Sequence, residues 1–479
     1  MLMAQNAKNL IGLTGIPLVM VLGNSMLIPV LPKMESTMDL SSLESSLLIT
    51  AFSIAAGIVI PFAGYLSDRL RRKVVIMSAL ILYGLGGLLA GLAGLWMDNP
   101  YWIIMVGRVI QGIGAAGTAP IAMAMVGDLF DGAGESRALG LLETSNGIGK
   151  VLSPIIGSLL GLIAWYMVFL AFPVICAVIL LLFAFLTKEK TKKKQPMPLK
   201  QYIHSIGNVF RQHGKWLVPA FFIGSICLFT LFGVLFYLSN LLEDQYKIDG
   251  VAKGGLLAIP LLVMSITAYV TGLIIKKKLQ RMRLFVIIGM FLLSASYVSA
   301  TFVKGAYTLI GILVIGSVGT GMILPCLNSM IVGAVKKSER GMITSLYNGV
   351  RFIGVAVGPP VFTWLLDISR TVMFLSIAGL SLLFGVIAIF FLKPKQADAE
   401  ASQGASQSAA QAEGKEESEE EQEKKKKEQQ AWRHISQVLG IEPQNLEEKR
   451  KEEAINKYGF DPGDMIEELF SKKKEKGKE

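Results

Sequence analysis

The sequence is poor in cysteine and histidine, with three of each among 479 residues. Cys176, Cys227 and Cys326 each lie within an apolar run, and their spacing suits neither a disulfide framework nor a zinc site. The chain also lacks a Gly-x4-Gly-Lys-Ser/Thr segment, which excludes P-loop ATPase chemistry. Because no nucleophile–base pair or metal-ligand cluster is recognisable, we predict that the chain is not an enzyme and holds no metal and no organic cofactor.

Charged residues are sparse before residue 393 and dense after it. Residues 1–392 contain 30 Lys and Arg against 15 Asp and Glu, whereas residues 393–479 contain 17 against 21. With 52% hydrophobic residues, the chain is too apolar for a soluble protein of this length. The basic excess therefore belongs to membrane-facing loops, and we expect no nucleic-acid partner.

Twelve apolar runs are each long enough to cross a bilayer, which takes about 20 helical residues. We predict an all-α membrane protein with twelve transmembrane helices in two pseudo-symmetric six-helix bundles, followed by a cytoplasmic C-terminal tail. The predicted spans are 10–31, 46–66, 74–96, 101–127, 138–161, 164–187, 215–240, 254–275, 284–303, 306–334, 342–366 and 370–392. The predicted domains are an N-terminal bundle (1–187), a basic cytoplasmic linker (188–214), a C-terminal bundle (215–392), a disordered charged linker (393–430) and a short helical tail (431–479).

Lys and Arg are distributed unequally between the two sides of these spans. The loops after spans 2, 4, 6, 8 and 10 contain 20 of them, and the six opposite loops contain 5. Cytoplasmic loops carry the excess of basic residues, so we predict a plasma-membrane protein with both termini in the cytoplasm. The tail regains apolar spacing after residue 430, but neither its role nor its partner can be read from the sequence.

The two halves of the chain resemble each other. A shift of 205 residues without a gap superimposes four pairs of glycines and prolines: Gly114 and Gly319, Pro120 and Pro325, Gly149 and Gly354, and Pro154 and Pro359. Transporters use such duplicated bundles to build one site near the membrane midplane.

Three segments carry a family resemblance. They are Leu22-Gly23 with Pro29-Val30-Leu31-Pro32 in span 1, the loop Gly64–Lys73, and Arg108 with Gln111-Gly112 and Gly114-Ala115-Ala116 in span 4. In this order they resemble the signatures of the major facilitator superfamily, and more narrowly its twelve-span drug:proton antiporter branch. Gly149, Pro154 and Gly157 in span 5 are similar to the antiporter motif of that branch.

The resemblance implies a gating latch in the loop after span 2. In the family, the acid at Asp68 sits against the N-terminus of the eleventh helix, here near Gly341, and Arg72 faces the acid at Asp128. A positive-inside anchor would explain the cations but not Asp68 or the small Gly64. The latch set is Gly64, Asp68, Arg69, Arg72, Lys73 and Asp128.

Few ionisable residues lie inside the predicted spans. Glu143 is the one acid well inside a span, so by elimination it is the leading proton carrier; the alternative is that it neutralises a nearby Arg or Lys. Arg108 matches the proton-relay arginine of the family, with structural pairing as the alternative. Lys150 and Arg351 both lie near the midplane, and two such cations require an internal carboxylate or an acidic group on a substrate.

Two further sets complete the predicted site. Glu143, Asn146 and Lys150 share one helix face. Gly149, Pro154 and Gly157, with Gly354 and Pro359 in the other half, are predicted to bend or closely pack span 5 and to limit leakage. The predicted substrate pocket comprises Asn24, Gln111, Asn146, Lys150, Asn328, Asn348 and Arg351.

The resemblance implies a monomeric, proton-coupled carrier that exports hydrophobic or amphipathic small molecules by alternating access, with the proton as its coupling ion. One alternative is an exporter or flippase of an acidic amphiphile, such as a lipid-linked sugar or a siderophore, which Lys150 and Arg351 favour. A second alternative is a ligand-sensing membrane scaffold that acts through the tail.

Overall fold

A computed structural model describes residues 2–130, 132–189, 199–275, 278–333 and 340–393, and every regular element within these ranges is helical. The helices are α1 (Leu2–Ser25), a 3-10 turn (Ile28–Val30), α2 (Leu31–Met38), α3 (Ser42–Arg69), α4 (Arg72–Trp96), α5 (Tyr101–Ala116), α6 (Ala119–Leu129), α7 (Gly132–Ile163), α8 (Met167–Leu186), α9 (Leu199–Asp244), α10 (Gly250–Ile275), α11 (Leu279–Phe302), α12 (Ala306–Gly333), α13 (Arg340–Ile368) and α14 (Arg370–Phe391).

Twelve segments of the described chain are long and apolar enough to cross a membrane, as predicted. The first comprises α1, the 3-10 turn and α2; the fourth comprises α5 and α6; each of the others is a single helix. Two elements are longer than the predicted spans. The first span continues to Met38, and α9 begins at Leu199, inside the predicted linker. The predicted segments after residue 393 lie outside the described residues.

Corresponding glycines of the two halves take corresponding positions. An added Cβ at Gly114 of α5 would lie 2.5 Å from the backbone nitrogen of Tyr83 on α4, the third span. An added Cβ at Gly319 of α12 would lie 2.5 Å from the carbonyl oxygen of Gly289 on α11, the ninth span. The two halves meet along α3 with α13 and along α7 with α10.

A proline creates one of the polar contacts between the halves. Pro360 has no N–H, so the carbonyl of Ala356, one turn earlier in α13, loses its helical donor. The hydroxyl of Thr50, on α3 of the other half, donates to this oxygen at 2.6 Å. The freed carbonyl therefore finds its partner across the interface, as backbone groups in a membrane must.

The same interface contains a tight glycine crossing. An added Cβ at Gly349 would lie 2.6 Å from the carbonyl oxygen of Gly57, and one at Gly57 would lie 2.9 Å from the carbonyl oxygen of Gly349. The oxygen of Gly57 lacks a helical donor because Pro61 follows four residues later. The crossing thus requires the absence of a side chain on both helices.

The bundle has two unlike ends. The short-loop end contains the connections at residues 39–41, 97–100, 164–166, 245–249, 303–305 and 369. At the opposite, basic end the helices α3, α6, α8, α10 and α12 finish. At the short-loop end the hydroxyl of Ser239 donates to the carbonyl of Ile28 at 2.9 Å, and the Asn240 amide donates to Glu35 at 3.3 Å. Both bonds join the C-terminal half to the N-terminal half.

Helix α9 extends well beyond the membrane at the basic end. Its 46 residues correspond to about 69 Å, against about 30 Å for the hydrocarbon core. The ring of Tyr202, near its start, lies 4.9 Å from the ring of Tyr65 on α3. One helix of the C-terminal half thus begins in contact with the N-terminal half.

The glycine crossing gives a first prediction. The Gly349→Ala substitution places its Cβ against the backbone of α3, which cannot yield locally, so we expect a loss of about 1–3 kcal/mol of stability, the usual cost of overpacking. Thermal and denaturant unfolding in detergent micelles would measure this loss. The matched control is Gly379→Ala in α14, where an added Cβ has no atom within 4 Å. Equal stability of the two variants would contradict the crossing.

Candidate functional site

The loop between α3 and α4 joins three helices of the bundle. Asp68 accepts a hydrogen bond from Arg72 Nη2 at 3.4 Å, and Arg72 Nε lies 2.8 Å from Asp128 Oδ2 at the end of α6. An added Cβ at Gly64 would lie 2.6 Å from Ser345 Oγ, in the second turn of α13. The structure therefore brings together the acid, the arginine and the close approach to span 11 that the resemblance implies. Their role in gating stays a prediction.

Two residues of the predicted latch have other partners. Lys73 Nζ donates to the carbonyls of Ala184 and Thr187, both at 2.7 Å. The cation therefore satisfies the last turn of α8, where the helix dipole favours positive charge. The guanidinium of Arg69 lies 4.7 Å from the ring centre of Tyr65. The structure thus assigns Lys73 to holding α8, rather than to the contact with span 11.

Sequence reasoning missed Glu189, the residue that completes this region. Its carboxylate accepts the backbone N–H of Arg72 at 2.8 Å and that of Lys73 at 3.4 Å. It therefore caps the free N–H groups at the start of α4, where an anion is favoured. The signal was available: Glu189 is the one acid in the lysine-rich stretch 188–194.

Arg108 lies at the centre of a closed cluster in the N-terminal half. Its side chain is fully buried, and its guanidinium donates to the carbonyls of Leu48 and Gly23, both at 3.0 Å. It also donates to the side-chain oxygens of Gln111, at 2.8 Å, and Asn24. All four acceptors are neutral, and such bonds to a charged donor are the strong ones.

Two residues predicted to line the substrate pocket belong to this cluster. Asn24 is 3% exposed and Gln111 is fully buried, so both side chains face the interior of the N-terminal half. Asn24 also donates to Ser53 Oγ at 2.7 Å, and the ring of Phe52 lies 4.5 Å from the guanidinium carbon of Arg108. In this conformation Asn24 and Gln111 position Arg108 and do not line an open surface.

A second cluster lies between the halves. Lys150 on α7 interacts electrostatically with Glu143, two turns earlier on the same helix, and with Arg351 on α13. Arg351 donates to Asn348 Oδ1 at 3.3 Å, and its guanidinium carbon lies 5.3 Å from the ring centre of Tyr347. Lys150 and Arg351 therefore lie within electrostatic range of each other, and Glu143 is the carboxylate among the described residues that acts on Lys150.

This second cluster contains polar atoms that lack partners within the described ranges. They are Asn146 Oδ1, Tyr347 Oη and Arg351 Nε, all buried. Buried polar atoms are nearly always hydrogen-bonded, so Asn146 Oδ1 and Arg351 Nε indicate a place for water or a ligand, whereas Tyr347 Oη packs against Gly224 of α9. Glu143 is exposed, Asn146 is half-buried, and Asn328 on α12 is also half-buried.

The predicted packing motif of span 5 divides into tight and loose positions. An added Cβ at Gly157 would lie 2.0 Å from the carbonyl of Met26, and one at Gly354 would lie 2.2 Å from that of Ser225. At Gly149 the nearest atom would be 3.5 Å away, an ordinary contact. Close packing therefore requires Gly157 and Gly354 but not Gly149.

The prolines of the motif act on the backbone. Pro154 removes the helical donor of the Lys150 carbonyl, so α7 has a free carbonyl oxygen beside the cation cluster. Pro359 likewise removes the donor of the Val355 carbonyl in α13. Its own carbonyl accepts a hydrogen bond from the Thr363 hydroxyl at 3.0 Å.

Comparisons with known proteins agree with this architecture. Residues 13–303 and 280–440 match the sequence model of the family described as Major Facilitator Superfamily. The Bacillibactin exporter of Bacillus subtilis is 45% identical over 399 residues, which cover 83% of this chain and 99% of that protein. The class C tetracycline resistance protein of Escherichia coli is 27% identical over 356 residues, covering 71% of this chain and 85% of that protein.

Solved structures show the same fold. A bacterial homologue of the human lysosomal transporter Spinster, in an inward-facing and unoccupied conformation, superimposes with a TM-score of 0.67 at 16% identity. The match covers 82% of this chain and 98% of that one.

The loop geometry gives a second prediction. Arg72 is 11% exposed and Asp128 is 30% exposed, so their ion pair is shielded from water more than a surface pair. In a double-mutant cycle with Arg72→Gln and Asp128→Asn, we expect a coupling energy of about 1–3 kcal/mol, measured by unfolding in detergent. The same cycle with Arg71→Gln in place of Arg72→Gln is the control. Additive effects of Arg72→Gln and Asp128→Asn would contradict the pair.

Proposed function

Because the chain belongs to the major facilitator superfamily, we propose that it exports an acidic amphiphile of the siderophore type. The observation that carries this proposal is the site with two cations, Lys150 and Arg351, and one carboxylate between the halves. The 45% identity to the Bacillibactin exporter along nearly all of that protein supports the same cargo class.

The physical argument rests on charge balance in a medium of low dielectric. Two cations near one carboxylate leave a net positive charge, which is costly in a bilayer unless an anion joins it. An acidic cargo would supply that anion, and the planar guanidinium of Arg351 suits a carboxylate or another flat acidic group. The buried N–H at Arg351 Nε and the amide oxygen of Asn146 offer further hydrogen bonds to such a cargo.

A second cargo class has its own support. The class C tetracycline resistance protein is among the relatives. This similarity favours the hydrophobic or amphipathic small molecules that the family resemblance implies as cargo. Half-buried methionines and aliphatic side chains can adapt to such molecules. A membrane scaffold acting through the tail is the third possibility, and export that persists after deletion of residues 396–479 would exclude it.

The proposed cycle is alternating access in the plasma membrane. The basic end would face the cytoplasm by the positive-inside rule, with both termini on that side. The bonds from Ser239 and Asn240 close the opposite end, and the cargo would enter from the cytoplasm and leave after the halves rock. Glu143 would carry the coupling proton, while Arg108 would hold the N-terminal half rigid or relay that proton.

The cation site gives a third prediction. We expect Lys150→Gln and Arg351→Gln each to lower the export of an acidic siderophore about tenfold or more, because each removes a charge-assisted hydrogen bond of about 1.5–3 kcal/mol. Export of a neutral hydrophobic dye should change less than threefold. Flux into inside-out vesicles measures both. Lys304→Gln, an exposed lysine at the short-loop end, is the control. Equal loss for both cargoes would contradict acid recognition.

Proton coupling gives a fourth prediction. In proteoliposomes with an imposed pH gradient, Glu143→Gln should abolish gradient-driven flux and retain exchange of labelled for unlabelled cargo, because a neutral amide cannot cycle between charged and neutral forms. Asp98→Asn, an exposed acid at the short-loop end, should behave as wild type. Unchanged gradient-driven flux in Glu143→Gln would remove Glu143 from the coupling role.

A further inference from the structure

A second carboxyl group lies between the two halves, at the short-loop end. Glu35 of α2 is half-buried, and its oxygens accept hydrogen bonds from Ser42 Oγ at 3.0 Å and from Ser45 Oγ, both on α3. Its third donor is the Asn240 amide on α9, at 3.3 Å, which belongs to the other half. Glu35 therefore connects the halves where this end of the bundle is closed.

Glu35 forms no ion pair with any residue that the structure describes. The cation nearest in sequence, Lys33, donates to the carbonyl of Gly161 at 2.8 Å. The charged group on α9 that interacts with Glu35 is another acid, Asp244. On α3, Glu44 is exposed and caps its own helix through Ser41.

A further acid, on α13, borders two hydrogen-bond partners of Glu35. Asp367 lines a cavity of about 60 Å³ together with Ser42 and Asn240, two of the hydrogen-bond partners of Glu35. Burial and the acid Asp244 penalise the charged form of Glu35, three neutral donors stabilise it, and no cation among the described residues pairs with it.

Asn240 is the partner of Glu35 whose hydrogen bonding would change if Glu35 took up a proton. Its amide oxygen is buried and has no donor within the described residues. A neutral Glu35 would carry an O–H group, which could donate to that oxygen once the amide turns over. One proton would therefore remove the negative charge of Glu35 and give the Asn240 oxygen a donor, while the amide N–H group that now bonds Glu35 would turn to where that oxygen lies.

We propose that Glu35 is a proton-binding site that closes the short-loop end: the carboxyl group takes up a proton as Asn240 docks, and loses it when the halves separate and water reaches it. The proposal rests on the alternating-access cycle proposed above, but not on Glu143 or on the cargo. By linkage, closure strengthens proton binding by the same factor by which the proton favours closure. A carrier that meets protons outside the cell would thereby reset to its cytoplasm-open state.

The test measures the width of the short-loop end against pH. Spin labels on Ser36→Cys and Gln245→Cys report the distance between α2 and the end of α9, since both positions are exposed and lie in opposite halves. The native cysteines are buried and stay unlabelled. In full-length protein in nanodiscs, we expect the ratio of closed to open populations to rise roughly tenfold as the pH falls from about 8.5 to about 5.5, a coupling of ordinary size.

The variants make this expectation decisive. Glu35→Gln, a neutral mimic of the protonated acid, should stay closed at every pH. Glu35→Ala should show no change of the closed-to-open ratio with pH, whatever that ratio is. Glu44→Gln is the matched control, and its closed-to-open ratio should change with pH as in wild type. A wild type without a pH response, or a Glu35→Gln variant that titrates normally, overturns the proposal. If no cargo flux is found but the label distance at the short-loop end still changes normally with pH, the export function is contradicted and the Glu35 proposal is not.

Discussion

A bilayer supplies no hydrogen bonds, so every polar group inside it must find a partner within the protein. This constraint determines where the halves of the bundle touch. The carbonyl of Ala356, released by Pro360, is satisfied by Thr50 of the opposite half, and the Gly57–Gly349 crossing lets the two backbones meet. These polar and glycine contacts lie within an extensive packing of α3 against α13.

The same constraint separates the buried cations into two kinds. Arg108 is enclosed by four neutral oxygens and an aromatic face, and the unpartnered buried atom of this cluster among the described residues is Gln111 Nε2. Arg351 and Lys150 lie where the halves meet, with buried polar atoms left over. One cation therefore joins helices within a half, while the other two lie where the halves face each other.

The sequence predicted the parts of this molecule that depend on composition and short spacing. Twelve spans follow from apolar runs, and the proximity of Lys150 to Arg351 follows from their depth and from the internal repeat. The rest depends on contacts that a hydropathy pattern does not contain. Helix α2 carries polar residues beyond the last apolar stretch, so Glu35 was assigned to a loop. The role of Lys73 depends on the end of α8, which is more than 110 residues away in the chain.

The length of α9 constrains how the halves can move. Its first turn touches Tyr65 of the N-terminal half, and its last turns carry Asn240 at the opposite end of the bundle. A straight α9 held at both ends would resist a rocking of the two halves in either direction. Pro219 lies between these contacts and breaks the hydrogen-bond ladder at the carbonyl of Lys215, which is where long helices bend. The helix thus has a bending point between its two contacts with the N-terminal half, so its two ends need not move together.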